Sequence, residues 1–270
     1  MAATPRLLLM IGATGSIGRL VVAQSLRRGW RVRALVRDAA RARRLLPAEV
    51  ELVVGDVTRP DTLGPAVAGA DAVVLTVDAD GEGKAAAEAV YYGGVRDLLA
   101  AIGARRVRIA LMTTIGVTER EGHYNRTNEG HDWKRRAERL VRVSGQPYTI
   151  VRPGWFDYSR ANERCILMLQ GDKRRTGTPA DGGIAREQIA RVLVASLDSD
   201  AAKRKTFELV AVAGDEQPDL DPLFAMLRPD PAGGPDAVLD IDNQPLSREP
   251  DRVRADLQAL RTGSRDGLEG

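Results

Sequence analysis

What the chain lacks narrows it first. Cys165 is the single cysteine among 270 residues, which excludes an intramolecular disulfide framework and any cysteine-rich zinc site. No apolar run approaches the roughly 18 residues that a membrane-spanning helix needs, and charge returns at Arg19 after the run in MAATPRLLLMIG. A soluble, cytoplasmic protein with no membrane partner is expected. An excess of one charge is also missing. Forty basic against 37 acidic residues leave +3, too little to make nucleic acid the default partner. Lysine is scarce: Lys84, Lys134, Lys173, Lys203 and Lys205 are the only ones among the 40 basic residues. A lysine at a chemically useful position therefore counts for more. His123 and His131 are the only histidines, and no carboxylate or cysteine stands at ligand spacing from them, so no metal is expected.

What is present points to one sizeable core, with 43% hydrophobic residues in a chain of single-domain length. Short apolar runs alternate with amphipathic stretches, the pattern of βαβ units around a parallel sheet. Strands are expected at 7–11, 31–36, 50–54, 71–77, 107–112, 148–151 and 206–211. Helices are expected at 16–28, 84–102, 127–143 and 185–197, with a terminal one near 249–260. Right-handed crossovers wind this order into an α/β fold, a Rossmann-type doubly wound parallel sheet with a small C-terminal substrate-binding region. Residues 1–154 form the NAD(P)-binding core in this reading. Residues 155–270 form the substrate region, interleaved with the last core helix and strand at 185–212. The irregular segments 155–183 and 215–270 are expected to roof the carboxyl ends of the strands. Residues 214–270 hold six Arg, no Lys and thirteen Asp or Glu, a net −7, and this acidic tail reads as solvated surface.

The chemistry begins at Gly12-Ala13-Thr14-Gly15-Ser16-Ile17-Gly18, directly after the first strand and opening a helix. Gly12 permits the tight turn, Gly15 lets backbone approach a pyrophosphate, and Gly18 allows close helix-on-strand packing. The helix N-terminus stabilises the phosphate charge, and Thr14 and Ser16 add hydroxyl donors. At the end of the second strand Arg37 precedes Asp38. A guanidinium there suits the 2′-phosphate of NADP(H), whereas Asp38 turned inward would favour NAD(H). Asp56 after the third strand either accepts from the adenine amino group or serves its own turn. Val57, Thr76 and the pair Pro153-Gly154 complete the expected cofactor contacts, the last pair offering backbone to the nicotinamide amide.

These segments resemble the atypical short-chain dehydrogenase/reductase superfamily, and within it the NmrA-like NAD(P)-binding branch. The matching pieces are GATGSIG at 12–18, LVRD at 35–38, GDV at 55–57, MTTIGV at 112–117, KRRAERLVRVSG at 134–145 and YTIVRPG at 148–154. With the helix IAREQIARVLVASL they span roughly the first 215 residues. Active members of that kind carry a tyrosine four residues before a helical lysine, so that the cation lowers the phenol pKa and holds the nicotinamide ribose. Here the lysine matches Lys134, but position 130 is Gly130. The resemblance implies that Thr114 supplies the hydroxyl after the fifth strand, with Thr113 as the lesser candidate. His131, solvent or Tyr124 is left to deliver the proton.

The function expected is an NADPH-dependent oxidoreductase acting on a small apolar substrate, such as a quinone, an enone or a polyketide-like aromatic. Two alternatives stay open: a dinucleotide-sensing regulator without turnover, and a non-redox isomerase or cyclase on the same frame. Trp155, Phe156, Tyr158, Ile166, Met168 and Leu169 are the apolar candidates for the substrate pocket, and a homodimer remains open.

Overall fold

Strand β1 (Leu7–Ile11) is buried at every position, and its side chains alternate between two cores. Leu8 and Met10 enter one, Leu9 and Ile11 the other. A strand covered on both faces is apolar throughout for this reason. The computed structural model describes residues 6–266, with side chains through Thr262. After β1 come α1 (Ser16–Arg27), β2 (Arg31–Val36), α2 (Ala39–Leu45), β3 (Glu51–Val54), α3 (Leu63–Val67) and β4 (Ala72–Leu75). The middle adds α4 (Lys84–Ala87), α5 (Gly94–Ile102), β5 (Arg108–Met112), α6 (His123–Asn128), α7 (Gly130–Val143) and β6 (Tyr148–Pro153). The rest comprises β7 (Trp155–Phe156), β8 (Cys165–Leu169), β9 (Gly183–Ile184), α8 (Arg186–Asp198), β10 (Lys205–Val212), α9 (Asp221–Met226) and α10 (Asp251–Asp266).

The eight-stranded sheet runs β3-β2-β1-β4-β5-β6-β10-β8. All pairs are parallel except β8 against β10. Connections run outward in both directions from β1 and β4, so the topological switch point lies between those strands, and ligands bind at their carboxyl ends. Helices α1, α2 and α8 cover one face; α3, α5, α7 and α10 cover the other. Strands β7 and β9 pair separately. Among the described residues no helix is long and apolar enough to cross a membrane.

Three sequence expectations change. The helix expected at 84–102 is interrupted by a π-helical segment, Glu88–Gly93, a local underwinding that often accompanies functional sites. The helix expected at 127–143 is two helices, because Glu129 adopts φ 57° and Asn128 Oδ1 accepts from Gly130 N at 2.7 Å.

The third change concerns the acidic tail, which is solvated surface only in part. On α7, Trp133, Ala137, Leu140 and Val141 face the core, so the helical period turns Arg135, Arg139 and Arg142 to the opposite side. There the tail covers them. Arg139 binds Glu249 at 2.6 Å and Asp236 at 2.7 Å, Arg136 binds Glu249 at 2.7 Å, and Arg152 of β6 binds Asp240 at 2.7 Å. Glu138 sits among them, 2.7 Å from both Arg142 and Arg152. Burial works to raise the Glu138 carboxyl, but Arg152 and Arg142 outweigh it and hold it at about 2. Four of the tail's carboxylates, Asp230, Asp236, Asp240 and Glu249, are the counter-charge of a buried arginine cluster. Its last four residues lie outside the described ones.

Candidate active site

The turn after β1 is a cradle that only glycine fits at two points. Gly12 has φ 91°, and a Cβ there would lie 2.8 Å from the Thr76 carbonyl oxygen. A Cβ on Gly18 would lie 2.0 Å from the Gly12 carbonyl oxygen. Helix α1 follows Gly15 at its N-cap, with no side-chain cap and no acidic residue in its first turn, leaving N–H groups available to an anion. The Thr76 hydroxyl is buried beside this turn without a hydrogen-bond partner. A glycine-only turn, an uncapped helix start and an orphaned hydroxyl together fit a dinucleotide diphosphate. Thr14 is half-buried and Ser16 exposed in the same turn, and Ser16 Oγ accepts from Arg186 Nε at 3.1 Å. Arg186, at the start of α8, has no sequence signature and was missed.

Several expected contacts take other roles. Ile17 sends its side chain into the core, so only its backbone can face a phosphate. Arg37 is exposed at the end of β2, while Asp38 accepts from Arg41 N at 2.9 Å and caps α2. Asp56 Oδ1 accepts from Thr58 N and Oγ1 at 2.9 and 2.8 Å, so it serves its own turn. Val57 packs against Gly94 in the core. The Pro153 carbonyl accepts from Ile115 N and Gly154 N donates to Leu209 O, at 3.0 and 2.8 Å. Both groups are engaged by neighbouring backbone, and Gly154 also lines the cavity above the sheet. What Gly154 supplies is close approach, since a Cβ there would lie 2.3 Å from Gly182 O.

Above the carboxyl ends of β5 and β6 lies a cavity of about 510 Å³ that brings together Thr114, Tyr124, His131 and Lys134 under Trp155 and Phe156. Lys134 Nζ donates to Tyr124 Oη at 3.2 Å, stands 3.6 Å from Asp80 Oδ1 and sits 4.5 Å above the Tyr91 ring. Burial pushes the Lys134 ammonium below its ordinary value, against the opposing pull of Asp80 and Asp78. His131 lies 4.6 Å from the Tyr124 ring with Nδ1 3.2 Å from the Glu119 carbonyl. Burial lowers its pKa, so the imidazole is neutral at pH 7. Thr113, by contrast, donates to Glu138 at 2.7 Å inside the core and is not part of the cavity. Tyr158 is exposed, Ile166 is core, and Met168 and Leu169 on β8 do not line the cavity, which leaves Trp155 and Phe156 as the apolar walls from the expected set.

Sequence reasoning also missed Asp80, Tyr91 and Arg175. Asp80 accepts from both Tyr91 and Tyr124. Burial would raise its carboxyl, but Lys134 and the two phenols outweigh it and hold it below the usual range. Tyr91 comes from the π-helical segment, a feature no residue pattern announces. Arg175 lines the cavity from the connection after β8 and bonds Thr118 Oγ1 at 3.3 Å.

Residues 12–200 match the family model described as NAD(P)H-binding. The chain is 27% identical over 263 residues to sanguinarine reductase of Eschscholzia californica, covering 81% of this chain and 95% of that protein. A short-chain dehydrogenase/reductase of Veillonella parvula DSM 2008 in complex with NADP has the same fold, with TM-score 0.60 at 16% identity over 80% of this chain and 100% of that one. The Bordetella bronchiseptica enzyme WbmH in complex with NAD+ gives TM-score 0.59 at 16% identity, over 77% of each chain. The chain belongs to the NAD(P)H-binding family, and its fold is the one those enzymes share. Since those two complexes hold different dinucleotides on one fold, the fold alone does not choose between them.

Proposed function

We propose that the protein is an NADPH-dependent reductase of a small apolar carbonyl compound, with quinones, enones and polyketide-like aromatics as the first class to try. The observation that carries this is the convergence of Lys134 and Thr114 in one apolar-walled cavity at the carboxyl edge of the sheet. The same edge bears the glycine cradle. The preference for NADPH rests on Arg37, exposed at the end of β2, while the competing carboxylate of Asp38 caps a helix. Gly12, Thr14, Gly15, Ser16 and Gly18 would hold the diphosphate, with Arg186 within reach of the same charge and Thr76 beside it. Bound NADPH supplies a hydride. Lys134 holds the ribose and places positive potential where the accepting oxygen gains charge. Thr114 orients that oxygen, and Trp155 and Phe156 exclude water from it.

The test is NADPH oxidation across a quinone and enone panel, with dissociation constants for NADPH and NADH measured alongside. Turnover with tighter NADPH binding is expected, and Lys134→Ala should lower it by roughly two orders of magnitude. Tight NADPH binding with no turnover on any acceptor would replace this reading with that of a cofactor sensor.

A further inference from the structure

We propose that Tyr124 is the catalytic proton donor, its phenol end lying against position 130, where the expected tyrosine is missing, and paired with the same lysine, and that the site therefore reduces simple aldehydes and ketones as well as quinones and enones. This rests on the reductase reading above and extends its substrate class.

The geometry is specific to this chain. A Cβ built on Gly130 would lie 2.8 Å from Tyr124 Oη and 2.9 Å from Tyr124 Cε1. The end of the phenol ring already occupies the volume that a side chain at 130 would enter. The same oxygen receives the hydrogen bond of Lys134 Nζ at 3.2 Å, so an ammonium–phenol pair exists without the four-residue helical spacing that usually builds one. The left-handed residue Glu129 makes this arrangement. It ends α6, restarts the chain as α7, and folds the helix bearing Tyr124 back on the first turn of the helix bearing Lys134. Glycine at 130 is then the residue that leaves room.

The groups facing the phenol are Lys134, Asp80, Tyr91 and the His131 ring. His131 is the poorer donor, being neutral, with Nδ1 turned to the Glu119 carbonyl. Burial and Asp80 keep the phenol protonated above its ordinary pKa. Its proton is directed at Asp80 Oδ1, a contact that an entering carbonyl oxygen replaces. In the balanced step the carbonyl carbon gains the hydride of NADPH, the C–O π bond breaks, and the oxygen takes the Tyr124 proton. Alcohol and NADP+ are the products. Lys134 stabilises the phenolate until solvent returns a proton past Asp80, whose side chain is 45% exposed.

The experiment compares the wild type with Tyr124→Phe and with the double change Tyr124→Ala, Gly130→Tyr. Turnover is read on matched panels of aldehydes, ketones and quinones, and NADPH affinity is read by fluorescence. Tyr124→Phe should lower kcat on aldehydes and ketones roughly 10²- to 10⁴-fold, the usual range for a lost general acid. The fall on quinones should be smaller, and NADPH affinity should be kept. The double change should recover carbonyl turnover relative to Tyr124→Phe. In the cofactor-free protein, the isotope-labelled tyrosine signal that Tyr124→Phe removes should shift in Lys134→Met. Unchanged carbonyl turnover in Tyr124→Phe, or a wild type active on quinones but on no aldehyde or ketone, overturns the inference and leaves the reductase reading standing. A wild type that binds NADPH and reduces nothing overturns that reading itself.

Discussion

Glu249→Gln measures what the acidic tail does for the fold. The Glu249 side chain is 1% exposed and meets two guanidiniums, Arg136 at 2.7 Å and Arg139 at 2.6 Å, themselves 8% and 0% exposed. The substitution keeps shape and removes charge, leaving both cations buried. Breaking a buried pair by neutralising one partner typically costs about 3–5 kcal/mol, because the remaining charge stays desolvated. Arg139 retains Asp236 at 2.7 Å, and Arg136 keeps its place over the Trp133 ring at 4.3 Å, so the lower end of that range applies. For a chain of this length about 3 kcal/mol corresponds to a fall in Tm of roughly 5 °C. Scanning calorimetry at pH 7 reads it directly. Repeating the scan at high salt should change the difference little, since a buried pair is poorly screened. Asp251→Asn is the control. Asp251 pairs with Arg254 on α10, but its side chain is 94% exposed, so Tm should move by no more than about 1 °C. A Glu249→Gln shift no larger than the control's would refute the account of the tail as buried counter-charge.

Two further outcomes follow from buried groups elsewhere in the fold. Burial raises the Glu208 carboxyl to about 8, against the pull of Arg152. The folded state therefore holds a proton that the unfolded chain releases near 4.5. Between those values stability should fall as pH rises, by up to about 1.4 kcal/mol per pH unit from this group; denaturant unfolding of Glu208→Gln should lack that slope. Gly18→Ala places a Cβ 2.0 Å from the Gly12 carbonyl oxygen, so the turn must open. NADPH affinity should drop at least about tenfold, a loss of roughly 1.4 kcal/mol, and fluorescence titration with a thermal scan separates lost binding from lost folding.

The sheet was legible because its strands are covered on both faces. An apolar run such as Leu7–Ile11 between a charged start and a glycine turn has few other readings. The glycine loop, Lys134 and Thr114 were legible because each is fixed by local geometry at a strand end or on one helix. The π-helical segment was not, since six residues with a slightly longer period leave no mark on the hydrophobic pattern. Nor was the break at Glu129, because a non-glycine residue in the left-handed region carries no compositional signal. The tail's charge was plain in the sequence, but its partners were not. A proline-, glycine- and aspartate-rich stretch has no period, and only its docking shows that Asp236, Asp240 and Glu249 face arginines.

Helix α7 explains why these features belong together. One side carries Trp133 and Leu140 into the core, the opposite side carries Arg135 and Arg139 to the tail, and its first turn presents Lys134 to the cavity. Holding the helix from both sides fixes the rotation on which the Lys134 position depends. A second link runs from Thr113 through Glu138 and Arg152 to Asp240, so the tail also braces the residue next to Thr114. Position 130 then shows the limit of reading chemistry from spacing. In the sequence it is an absent tyrosine. In space the phenol end of Tyr124 lies against that position and beside the same ammonium, because a left-handed turn can bring a phenol to a lysine as well as a helical repeat can.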